Sequence, residues 1–85
     1  MSYSYETQRP WVFTEEGVKK LLWTRSTAQL HLAESGAVRA GRLLGSGDSW
    51  NSMAVVDYLV EIGELMRVYD GRAWQDGVYV EGPNG

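Results

Sequence analysis

Ser49, Asn51 and Ser52 follow a run of glycines and polar residues and open a segment whose apolar positions recur at helical spacing. Short polar side chains in the first turn of a helix suit contact with nucleic-acid bases, because an Asn amide matches the donor and acceptor of adenine and the positive end of the helix dipole favours phosphate. Arg39 and Arg42, three apart just upstream, with Arg67 and Arg72 downstream, supply cations able to hold a phosphate backbone. The same segment offers a second chemistry. Its outward side carries Trp50, Ala54, Asp57, Tyr58, Glu61 and Glu64, and Trp74 stands near Arg72 in a later loop. Aromatic side chains rimmed by carboxylates make a protein-docking surface. Residues 48 to 64 contain the acids Asp48, Asp57, Glu61 and Glu64 and no Lys or Arg, which opposes phosphate and favours a protein partner.

Other chemistries fare worse. His31 is the only histidine and cysteine is absent, so neither a metal site nor a disulfide is expected. The stretch "GRLLGSGDS" lacks the Gly-Lys-Ser/Thr of a phosphate loop, and no Ser-His-Asp constellation can be assembled, so no enzyme and no cofactor is expected. A chain of 85 residues with a net charge of -3 supports one small core and is not strongly basic. It has no apolar run of membrane-spanning length and no signal-like start, so the expected setting is the cytoplasm, without membrane contact.

Several elements must position these residues. "FTEEGVKKLLW" reads as a helix start, with Thr14 as cap, Glu15 and Glu16 in the first turn and Phe13 stapled onto Val18. "WTRSTAQLHLAE" can either continue this helix or, with Ser26 and Gln29 at capping-box spacing, begin a second one; the spacing leans towards a break near residues 24–27. "SGAVRAGRLLGSGDS" predicts a further short helix with Ala37, Ala40, Leu43 and Leu44 inward and Gly45 as its stop. Ser52, Val55, Val56, Leu59, Ile62 and Gly63 then fall on one face of a helix capped by Asp48 or Ser49 and stopped at Gly63. "LMRVY" and "GVYVE" flank two Asp-Gly turn signals and predict a hairpin. Residues 1–9 and 82–85 read as loose ends around one folded unit over residues 10–81.

The stretch "AGRLLGSGDSWNSMAVVDYLVEIGELMRVYDG...GVYV", about half the chain, resembles the winged helix-turn-helix, most closely small repressors of the arsenic-repressor and MarR kinds. That resemblance implies an α+β, mainly helical winged helix: three to four helices followed by a C-terminal β-hairpin wing, with residues 49–62 as recognition helix and 66–80 as the wing. It implies a small DNA-binding protein, a transcriptional regulator or accessory factor, holding double-stranded DNA through Ser49, Asn51, Ser52, Arg39, Arg42, Arg67 and Arg72. The alternative is a winged-helix protein-protein interaction module, of the sort phages and mobile elements encode, docking through Trp50, Asp57, Tyr58, Glu61 and Trp74. Such repressors commonly dimerise, here through Trp11, Leu22 and Trp23 as a homodimer. The turn "GSGDSWNS" is longer than the usual link in these repressors.

Overall fold

A computed structural model of the chain describes residues 2–45 and 49–85, so the expected cap Asp48 and its neighbours Ser46 and Gly47 lie outside the described residues. The described residues form three α-helices, α1 (Tyr5–Gln8), α2 (Glu15–Ser35) and α3 (Ser49–Glu61), and three strands, β1 (Val38–Arg39), β2 (Leu65–Tyr69) and β3 (Val78–Glu81). Three 3-10 segments, Arg9–Phe13, Ala40–Leu43 and Trp74–Asp76, fill the joints. The architecture is α+β, with a small antiparallel sheet ordered β1-β3-β2.

Thr14 caps α2 as expected, its Oγ1 accepting the Gly17 N–H at 3.0 Å. Of the two readings of residues 24–27, the favoured break does not form and the continuous helix does: α2 runs unbroken for 21 residues and is capped at Gly36. Neither Gly nor Pro interrupts residues 18–35, and Thr24 and Ala28 are buried on the inner face, so packing holds the middle of the helix together. Ser26 is left exposed instead of capping a second helix.

The short helix predicted after Gly36 is also replaced. Val38 and Arg39 pair with Tyr79 and Val78 of β3, and Ala40 donates its N–H to the Gly77 carbonyl at 2.7 Å. Only the single 3-10 turn Ala40–Leu43 remains, and it still buries Ala40 and Leu43 as the helical spacing required. Ala37 and Leu44, also expected inward, are only half-buried, and Val38 is buried in their place, because a β-branched Val within reach of a strand gains more from pairing than from one helical turn.

α3 matches its expected extent and stops at Gly63, whose φ of 81° is reached without cost only in the absence of a side chain. β2 and β3 form the expected hairpin, with an irregularity between Arg67 and Tyr69. The principal core joins α2, α3 and the sheet through Ala28, Val38, Ala40, Leu43, Val56, Leu59, Leu65 and Tyr79.

A second cluster lies on the other side of α3. Val12, Ala54 and Val55 are buried there, with Tyr3, Tyr5, Trp11, Leu21 and Tyr58 packed around them. Ala54, expected to face outward, is fully enclosed. Part of the enclosing wall is the stretch 1–9 expected to be loose: α1 and the Arg9–Phe13 turn that continues it pack on α3, and the turn crosses α2 at Gly17, where a Cβ would collide with the backbone of Trp11 and Val12. At the other end, Gly82 and Asn84 donate their N–H groups to the carbonyls of Glu64 and Gly63.

Candidate functional site

The acids of α3 and its C-terminal extension look alike in sequence and differ in place. Glu61 accepts from Nε–H and Nη2–H of the Arg9 guanidinium, at 2.7 and 2.6 Å, and from the Tyr5 hydroxyl at 2.7 Å. Those hydrogen bonds, Arg9 first, pull its carboxyl down to about 2. Glu64 is gripped in the same forked way by Arg25 at 2.7 and 2.8 Å. Asp57 accepts the Tyr3 hydroxyl at 2.7 Å in a half-buried setting. Burial pushes its carboxyl up, opposed by the Tyr3 bond, the charge of Arg67 and the Trp74 indole. The run of acids that marked this segment as an anionic surface is therefore engaged internally at Asp57, Glu61 and Glu64.

The aromatic part of the proposed docking face is drawn inward too. Tyr58 is half-buried and meets Phe13 edge-on, with ring centroids 5.2 Å apart. Phe13 thus packs on Tyr58, a partner its expected role as a staple on Val18 did not include. Trp74 packs against the principal core, 6.5 Å from the Tyr79 ring and 5.6 Å from the Arg67 guanidinium. Trp50 is half-buried at the start of α3.

The nucleic-acid set divides. Ser52 is buried, which removes it from any groove contact, because its position one turn before Val55 and Val56 turns it to the core. Arg67 is an internal tie: it donates to the Tyr79 hydroxyl at 2.6 Å, to Asp70 at 2.9 Å and to the Trp74 carbonyl at 3.2 Å. The Asn51 amide oxygen accepts from Gln8 at 2.8 Å, so the N-terminal stretch holds the side chain expected to read adenine. Ser49 is exposed.

Arg39, Arg42 and Arg72 are exposed and make no side-chain bond to any described residue. Arg39 and Arg42 belong to β1 and the 3-10 turn after it, which packs against the Trp74–Asp76 turn two residues beyond Arg72. The three arginines thus stand on adjoining segments. The other arginines, Arg9, Arg25 and Arg67, each grip a carboxylate.

No family model matches this chain, and no curated protein or solved structure matches it either.

Sequence reasoning missed the N-terminal clamp of Tyr3, Tyr5, Gln8 and Arg9. A signal was present: "SYSYETQRPW" carries three aromatics in ten residues, a composition that gains from burial. A separate cleft of about 270 Å³ lies between α2 and the ends of β2 and β3, floored by Ala28, Leu32, Leu59 and Leu65 and rimmed by Arg25, Glu64 and Glu81. Among the described residues, no helix is long and apolar enough to cross a membrane, and no group of three metal-ligating side chains gathers.

Proposed function

We propose that this chain is a small winged-helix protein that grips the backbone of double-stranded DNA through Arg39, Arg42 and Arg72, acting as a transcriptional regulator or accessory factor. The observation that carries this reading is the contrast among the arginines: three are tied to carboxylates of the same chain, and three exposed ones share adjoining segments with no acid among the described residues bound to them. Two further features support it. The helices followed by the β2–β3 hairpin keep the α+β order on which this reading rests, with a strand and a single 3-10 turn in place of the short helix expected after Gly36. Internal pairing of Glu61 and Glu64 also lowers the electrostatic cost that their sequence positions implied.

Base reading is sparse in this proposal. Ser49 is the exposed polar side chain at the start of α3, and Asn51 reaches a base only by exchanging its bond to Gln8. Binding should then be weakly sequence-selective and strongly salt-dependent. The test is titration of labelled protein with a mixed-sequence duplex at low and higher salt, beside a variant with Arg39, Arg42 and Arg72 all changed to Ala. The expected result is amide shifts at these segments that fade with salt, and a salt slope reduced by about one per arginine removed. Absence of shifts at low salt, or an unchanged slope in the variant, would overturn the reading.

A further inference from the structure

The cleft of about 270 Å³ between α2 and the ends of β2 and β3 separates its apolar and charged residues by depth. On α2, Arg25, Ala28, Gln29, Leu32 and Ala33 recur at helical spacing and share the face that lines it. Ala28 and Ala33 are too small to fill the space. Leu59 and Leu65, 1% and 3% exposed, complete a floor with Ala28 and Leu32, while the charged side chains Arg25, Glu64 and Glu81 stand at the rim. An apolar hollow with a few polar groups at its opening has the composition of a small-molecule site.

The wall facing α2 is fixed by the backbone. Gly82 donates its N–H to the Glu64 carbonyl at 3.0 Å and Asn84 donates to the Gly63 carbonyl at 2.8 Å, tying the end of β3 to the start of β2. The cleft is therefore preformed, and filling it orders little of the chain.

The rim also has a sign. Arg25 is committed to Glu64 through its two bonds of 2.7 and 2.8 Å, so each of these charges is answered by the other. Glu81 is not. It lies opposite Leu65 in the β2–β3 register, hence on the same side of the sheet, and its carboxylate bonds no group among the described residues. An anion entering the cleft would meet Glu81 and find the Arg25 fork already occupied, whereas a cation would find a free carboxylate beside an apolar floor.

We propose that this cleft binds a small organic cation, with an apolar body of roughly ten heavy atoms on the leucine floor and an ammonium group against the Glu81 carboxylate. The proposal is independent of what the exposed arginines hold.

The experiment is an amide-shift titration of the labelled protein with phenethylamine, beside neutral phenethyl alcohol and anionic hydrocinnamate, which present a similar phenyl body with a different head. It is run on the parent chain, Glu81→Gln and Ala33→Phe. Both positions are exposed, so folding should persist, and circular dichroism checks it. The expected result is saturable shifts centred on residues 28–33, 65 and 81 with phenethylamine, at a Kd on the order of 1 mM, with weaker binding of the alcohol and none of hydrocinnamate. Glu81→Gln should weaken the amine about tenfold and leave the alcohol unchanged, and Ala33→Phe should abolish both by filling the cleft. Phenethylamine shifts that fail to saturate, or that scatter over acids away from the cleft, would overturn the proposal. An alcohol or anion bound as tightly as the amine would do the same, as would amine binding indifferent to either substitution.

Discussion

The two sides of α3 are held by different physics. Toward α2 and the sheet, Val56 and Leu59 meet Leu43, Leu65 and Tyr79 in a dry cluster whose main contribution is apolar burial. Toward the N-terminus, Ala54 and Val55 meet Val12, but the rim is a set of hydroxyls, a guanidinium and an amide bonded to Asp57, Glu61 and Asn51. The first side depends on volume. The second depends on volume at one point and on charge around it, so the two sides should answer differently to truncation and to pH.

The largest effect is expected on the dry side. Leu59→Ala leaves a cavity beneath the sheet and should cost about 2–5 kcal/mol, measured by urea unfolding, with loss spread over the whole domain. A cost near zero would mean that the sheet does not depend on this cluster. Next comes Gly17→Ala, which forces a methyl into the crossing of the Arg9–Phe13 turn and should cost about 1–3 kcal/mol. Here the loss should be local: hydrogen exchange should quicken in residues 3–13 and along the Asn51–Tyr58 side of α3 while β3 keeps its protection. Equal loosening of both sides would collapse the distinction drawn between them.

Thr24 offers a change of opposite sign. Its hydroxyl is buried with no hydrogen-bond partner among the described residues, so the near-isosteric Thr24→Val should raise stability by about 1 kcal/mol, read as an increase in Tm. A fall in Tm would show that the hydroxyl has a partner after all.

The smallest effects are titrations confined to the polar side. Glu61 has its folded pKa lowered from the ordinary 4.5 to about 2, so its contribution is present above 4.5 and is lost as pH falls through about 2. Asp57, one turn earlier, is shifted up by burial, so it favours the fold most when protonated and loses that contribution as pH rises through its folded pKa. Glu61→Gln should therefore flatten the acid limb of stability against pH, and Asp57→Asn should raise stability at neutral pH relative to acid. Matching responses from both variants would contradict the opposite placement of the two carboxylates. At the alkaline end, burial shifts the Tyr3 and Tyr5 hydroxyls upward and Tyr79 up to about 12. Stability held below pH 10 should thus be lost as these phenols ionise, with residues 3–5 released, as followed by ultraviolet difference titration.

Local signals carried much of this fold. The spacing of Ser52, Val55, Val56 and Leu59 determined the inner face of α3, Thr14 determined where α2 begins, Gly63 where α3 ends, and the alternating runs around the Asp-Gly turns determined the β2–β3 hairpin. These are effects of side chains on their own few turns of backbone. Tertiary structure decided the rest. Burial of Thr24 and Ala28 kept α2 whole, pairing with Tyr79 made Val38 a strand residue, and an N-terminal stretch without periodicity became a wall of the second cluster. It also decided the candidate site, because whether an arginine is a structural tie or an available cation depends on a carboxylate that can lie 39 or 52 residues away, as Glu64 does for Arg25 and Glu61 for Arg9. A contact at that separation leaves no local trace in composition or spacing: the sequence supplies the charges, and only the folded chain sets which of them are already paired.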